Sequence, residues 1–170
     1  FNYFKQLFAQ VTNPAIDSIR EELVMSMEVS LGKEQNLLDE SPEHCRKLKV
    51  EHPILTGKEM DKIRKLNQEG LKPVVLSTLF PVSEGEQGME RALDTICKNA
   101  SKEIDEEATI LILSDKGVDA KNAALPSLLA IACVHHHLLR ERTRTRVGLV
   151  IETGEAREMM HFALLIGYGA

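Results

Sequence analysis

The sequence predicts an α/β fold: a predominantly parallel β-sheet with flanking helices, in partial barrel-like βα units, behind an irregular N-terminal part. Two observations predict it. From residue 73 onward, apolar runs alternate with helical patterns in the order β, α, β, α, β, α. The runs Val74-Val75-Leu76, Ile110-Leu111-Ile112-Leu113 and Val147-Gly148-Leu149-Val150-Ile151 are continuous rather than alternating. Continuous apolar runs belong to strands buried on both faces, and such strands pair in parallel. Before residue 73 the pattern is mixed, which divides the chain into 1–72, helical and irregular, and 73–170, a βαβαβα unit. A sheet of this size is too small for a complete (β/α)₈ barrel of about 250 residues.

The elements follow in order. Phe1–Gln10 carries Phe1, Phe4, Leu7 and Phe8 on one helical stripe, and Asn13-Pro14 breaks the pattern. Leu23–Leu31 alternates apolar and polar and predicts a half-buried strand ending at Gly32. Lys33–His52 predicts an irregular surface loop. Thr56-Gly57-Lys58-Glu59 is a capping box. It predicts a helix with Met60, Ile63 and Leu66 inward, ending at Gly70. Val74–Phe80 predicts a buried strand stopped by Pro81.

Ser83–Lys102 predicts a helix with Met89, Ala92, Leu93 and Ile96 on one face. Ala108–Leu113 is the next buried strand, and Pro126–Leu139 a deeply buried helix with proline in its first turn. The last unit is a strand over Val147–Ile151, a polar corner Glu152-Thr153-Gly154-Glu155, and a helix with Phe162, Leu165 and Ile166 sharing a face and Met159 one turn before Phe162.

Composition excludes several classes. A net charge of −5 argues against a nucleic-acid partner. No apolar run is long enough to span a membrane. Cys45, Cys97 and Cys133 are widely spaced with no CxxC pair. That pattern points to reduced thiols in a cytosol-like compartment rather than a zinc or disulfide framework. The chain starts without Met and stops just after a helix, so the expectation is a piece of a longer protein.

Chemistry in such a sheet belongs at the carboxyl ends of the strands. There stand Thr78, Phe80, Ser114, Asp115, Glu152 and Thr153. Asp115 and Glu152 make a carboxylate pair suited to acid–base work if they approach, with Thr153 beside them. The competing expectation is that these residues cap helices and tie loops together. His135-His136-His137 are consecutive, whereas helical metal sites use i, i+3 or i, i+4 spacing. One of the three is expected to be buried on a hydrogen bond. The basic run Arg140–Arg146 is expected to be a solvated loop pairing with local carboxylates. Gly85-Glu86-Gln87-Gly88 matches no phosphate-loop spacing, and Ser114 has no GxSxG context. The residues alone therefore assign no catalytic, cofactor-binding or metal-binding role.

Longer strings say more. FKQLFAQVTNPAIDSIREELVMS, ATILILSDKGVDAKNAALPSLLAIACVHHHLL, RTRVGLVIETGEARE and HFALLIGYGA resemble, in the same order, the central domain of the glutamate synthase large subunit. The resemblance covers essentially the whole chain and is loosest over 33–70. The family usually reads NPPIDPIRE where this chain has Ala15 and Ser18, and carries His near Met160. What the resemblance implies is a connecting domain between a glutamine amidotransferase domain and an FMN-binding (β/α)₈ domain of one parent chain. The parent forms L-glutamate from L-glutamine and 2-oxoglutarate with reducing equivalents, using FMN and an iron–sulfur cluster, in cytoplasm or plastid stroma. The implied piece holds no cofactor and no catalytic residue of its own. Two alternatives stand beside it. One is a stand-alone small-molecule domain using the strand-end cleft. The other is an interaction module in which Phe1, Phe4 and Phe8 dock on another domain or in an artificial homo-oligomer.

Overall fold

The computed structural model describes residues 1–5, 19–20 and 24–170. Three parallel strands organise it: β3 (Pro73–Ser77), β5 (Ile110–Ser114) and β7 (Gly148–Glu152), in the order β3-β5-β7. Val75, Ile112 and Val150 lie in one row, and Leu76, Leu113 and Ile151 in the next. Strand β5 is central, and every residue of it is buried. Its run ILIL needs no polar face because both faces are covered.

The two faces are covered differently. Helices α2 (Gly85–Asp105) and α3 (Ser127–Arg140) make the two crossovers, and α4 (Met159–Gly167) follows β7. All three pack on the face carrying Leu76, Leu111, Leu113 and Leu149. They contribute Ile96, Ala100 and Ile104, then Ala130, Ile131, Val134 and Leu138, then Leu165. Crossovers stacked on one face are the barrel-type arrangement rather than the doubly wound one. The opposite face, Ile110 and Ile112, is covered by Met60 and Ile63 of α1 (Gly57–Arg64) and by Leu71. Leu31 and Leu48 close its rim. They come from a small antiparallel ribbon of β1 (Val29–Leu31) and β2 (Leu48–Val50). Gly148 lets this ribbon approach, since a Cβ there would lie 3.1 Å from the Gly32 backbone nitrogen.

Several expectations change. Residues 24–28 are not strand, and Met25 and Met27 are each 58% exposed. The ladder stops at Val29 opposite Val50, because β2 has only three residues to pair with. The expected irregular stretch 33–52 contains β2 and a 3₁₀ turn at Pro42–Cys45. The capping box forms as expected: Glu59 N–H donates to Thr56 Oγ1, and Thr56 N–H donates to Glu59. The helix nevertheless ends at Arg64, before Leu66 and Gly70.

The run Val74–Phe80 is not one strand. At Thr78 the chain changes partners: its N–H donates to Ser114 O, and its carbonyl accepts from Leu125 N–H. Beyond it β4 (Leu79–Pro81) pairs antiparallel with β6 (Asn122–Ala124). Pro126 caps α3 rather than entering its first turn. Met159 is 88% exposed, so the buried side of α4 is Leu165 with Phe162 half-buried. Phe1 stacks on His161 and Phe4 meets Tyr168 edge-on. Leu7, Phe8 and Asn13-Pro14 lie outside the described residues. Among the described residues no helix is long and apolar enough to cross a membrane.

Candidate functional site

The carboxyl ends of β5 and β7 bring the three expected residues together, with Asp115 N–H donating to Glu152 O at 3.2 Å, but their carboxylates face different side-chain partners. Glu152 closes β7 with its side chain 15% exposed. One carboxylate oxygen pairs with the Arg64 guanidinium from α1 and with Lys116 Nζ at 3.0 Å. The other accepts from Ser114 Oγ at 2.6 Å. Burial alone would raise the Glu152 pKa. The donors Arg64, Ser114 and Lys116 outweigh it and hold the group at about 2. A carboxylate held that low is a poor proton acceptor at neutral pH.

Asp115 turns to the other side. One of its oxygens accepts from Thr153 Oγ1 at 2.8 Å and from Gly154 N–H at 2.9 Å. Thr153 Oγ1 in turn accepts from Glu155 N–H. The Glu155 carboxylate reaches the start of α3 and accepts from Ser127 N–H at 2.7 Å. That puts a negative charge on the positive end of the helix dipole, where it is favourable. The corner Glu152–Glu155 therefore ties α1, β5, β7 and α3 into one unit. Asp115, Gly154, Glu155, Arg157 and His161 line an open cleft of about 930 Å³ on its outer side.

Sequence reasoning found Asp115, Glu152 and Thr153 as strand-end residues. It missed Arg64, Lys116 and the Glu155 cap. Only the Glu155 cap left a trace, since Pro126-Ser127 opens a helix with no side-chain cap of its own.

A second polar cluster lies at the opposite end of β7. The expected solvated loop is instead anchored by Arg144. Its Nε donates to His135 Nδ1 at 3.0 Å, and its terminal nitrogens donate to Val147 O at 2.8 Å and Gly169 O at 2.9 Å. No carboxylate takes part in these three bonds. Accepting at Nδ1, a neutral His135 carries its proton on Nε2. Burial first, then the charges of Arg144 and His136, lower the His135 pKa. Arg146 does follow expectation, pairing with Asp105 at 3.6 Å. Of the other two histidines, His136 is exposed and His137 bonds Ser101 Oγ at 2.8 Å. None of the three is fully buried. Among the described residues no three His, Cys, Asp or Glu side chains are grouped to hold a metal.

An apolar groove of about 420 Å³ runs along the edge of β7 away from β5. Leu149, Ile151, Phe162 and Ile166 line it from the sheet and α4, with Ile54 and Leu55 opposite.

Fold and corners together define an α/β domain whose strand-end polar groups are tied to one another. The whole chain, residues 1–170, matches the family model described as glutamate synthase central domain, and the chain belongs to that family. It is 44% identical over 173 residues to the NADH glutamate synthase of Saccharomyces cerevisiae, covering 99% of this chain and 8% of that protein. It is 44% identical to the large chain of the NADPH glutamate synthase of Bacillus subtilis, covering 100% of this chain and 11% of that one. A ferredoxin-dependent glutamate synthase of Pyropia yezoensis is 40% identical, with 100% and 11% covered. The chain thus spans about a tenth of the length of these relatives.

Proposed function

We propose that this chain is a structural, interdomain element of a glutamate synthase. The parent enzyme forms L-glutamate from L-glutamine and 2-oxoglutarate with reducing equivalents, in cytoplasm or plastid stroma. Residues 1–72 are its N-terminal helical and irregular part, from which Met60, Ile63 and Leu71 cover one face of the sheet, and residues 73–170 are its βαβαβα part. Its partners are the amidotransferase and FMN-binding domains of the same chain, and alone it is inactive.

The observation that carries this reading is that each strand-end carboxylate is tied to neighbouring parts of the fold. Glu152 is held by Arg64, Lys116 and Ser114, Asp115 by Thr153 and Gly154, and Glu155 by Ser127. Side chains so engaged stiffen a fold rather than present a proton or a nucleophile to substrate.

The resemblance implies FMN and an iron–sulfur cluster for the parent enzyme, and two observations support the reading that this piece holds neither. Cys97 and Cys133 contact each other, while Cys45 lies on a separate exposed turn. The Ser127 N–H that would greet a phosphate at the α3 N-terminus already faces the Glu155 carboxylate.

The test is to supply the 170-residue chain with glutamine, 2-oxoglutarate, FMN and a reductant. The expected result is no glutamate formed and no quenching of flavin fluorescence. Glutamate formation or saturable flavin binding would overturn the reading. Saturable binding of a 2-oxo acid at the Asp115 cleft, lost in Asp115→Asn, would instead favour the small-molecule domain.

A further inference from the structure

Helices α2 and α3 lie side by side in front of the sheet and touch through polar atoms at two successive turns. Ser101 Oγ meets His137 Nε2 at 2.8 Å. One turn earlier Cys97 Sγ meets Cys133 Sγ at 3.4 Å. Both contacts advance by four residues on each helix, so the helices run in the same direction at this seam. The two thiols differ in access: Cys97 is buried and Cys133 half-buried. Cys45 is exposed on the Pro42–Cys45 turn.

We propose that Cys97 and Cys133 form a redox-active dithiol that closes to an intramolecular disulfide when the chain meets a small disulfide oxidant. The sulfurs must approach by roughly 1.4 Å to reach bonding distance, a movement within the reach of side-chain rotation. Access sets the order of events. The Cys133 thiolate attacks the oxidant, forming a mixed disulfide and releasing one oxidant thiolate. Cys97 then gives up its proton as its sulfur attacks Cys133 Sγ, and the second oxidant thiol leaves. Two protein S–H bonds and one oxidant S–S bond become one protein S–S bond and two oxidant S–H bonds. The protein loses two electrons and the oxidant gains them.

Burial, then the neighbouring Cys133, pushes the Cys97 thiol up to about 12. It therefore stays protonated and inert until Cys133 delivers the electrophile to it. The new bond would join the two crossover helices across 36 positions of sequence, a segment that includes β5. Cross-linking α2 to α3 restrains the unfolded chain and raises stability.

The experiment incubates the chain carrying Cys45→Ser with oxidised glutathione, then denatures it, alkylates free thiols and measures intact and peptide masses. The expected product lacks two hydrogens, takes no alkyl group at either position, yields a peptide joining residues 97 and 133, and reverts with dithiothreitol. Its thermal midpoint lies several degrees above that of the reduced form. Adding Cys97→Ser should arrest the reaction at a glutathione adduct on Cys133. A stable adduct on Cys133 with Cys97 still alkylatable in the otherwise unaltered pair would overturn the proposal. So would a cross-linked product whose midpoint does not rise. These readouts do not depend on the Cys97→Ser variant folding.

Discussion

Strand β7 is held at its two ends by two unlike clusters. At its carboxyl end a carboxylate, Glu152, is gripped by two cations and a hydroxyl. At its amino end a cation, Arg144, is gripped by two backbone carbonyls and a neutral histidine, with no carboxylate in those bonds. The first knot is charge against charge and depends on pH through its acid. The second is charge against dipoles and depends on geometry, and on pH only through His135, whose pKa is lowered. By position the first lies where the chemistry of a parallel sheet is expected, and in geometry the two are alike. Each fixes where β7 sits against a helix, α1 in one case and α3 in the other.

The amino-end cluster should be the more fragile. Arg144→Ala removes three hydrogen bonds together and leaves the Val147 and Gly169 carbonyls and His135 Nδ1 without this donor. We expect a loss of about 3 kcal/mol in urea unfolding. Arg144→Lys should recover less than half of that, because an ammonium cannot span three diverging acceptors as the guanidinium fork does. A loss below about 1 kcal/mol for the alanine variant would mean that the basic run is a solvated loop after all.

The carboxyl-end cluster should show the pH dependence. The Glu152 pKa is about 2 in the fold against 4.5 ordinarily. A depressed acid contributes stability above its ordinary value and loses it as pH falls through the folded value. Glu152→Gln should therefore cost about 2 kcal/mol at pH 7. Its stability curve and that of the unaltered chain should converge between pH 4.5 and about pH 2. The His135 pKa is lowered from 6.5, so its protonation opposes folding from a higher pH downward. Glu152→Gln should keep that earlier decline. Parallel curves down to pH 2 would show that the Glu152 carboxylate contributes nothing as a charge.

What the sequence revealed was local. Strand β5 was legible because ILIL cannot be anything but buried, and the α1 cap because TGKE carries both of its partners within four residues. The Glu152 corner was legible as a place, since a polar group ending an apolar run marks a strand end. Its partners were not, because Arg64 reaches it from an element far away in the chain. Arg144 looked like a loop residue because two of its three acceptors are backbone carbonyls, which leave no sequence signature, and the third is His135, nine positions away. Strand β6, Asn122–Ala124, has no strand pattern at all and exists because Leu79–Pro81 offers it an edge. The alternation over 23–31 misled in the opposite sense, since periodicity proposes a strand but only a partner completes one.

The smallest expected effect is the most informative about chemistry. Asp115→Asn keeps an oxygen acceptor for Thr153 Oγ1 and Gly154 N–H, so it should cost no more than about 1 kcal/mol. Its side-chain partners are separate from those of Glu152. The double variant Asp115→Asn with Glu152→Gln should then be additive to within about 0.5 kcal/mol, measured by urea unfolding at pH 7. Two carboxylates that served as one acid–base pair would sense each other's charge, and removing either would change the cost of removing the other. A coupling above about 1 kcal/mol would mean that the corner is a single electrostatic site, and its reading as two independent packing knots would fail.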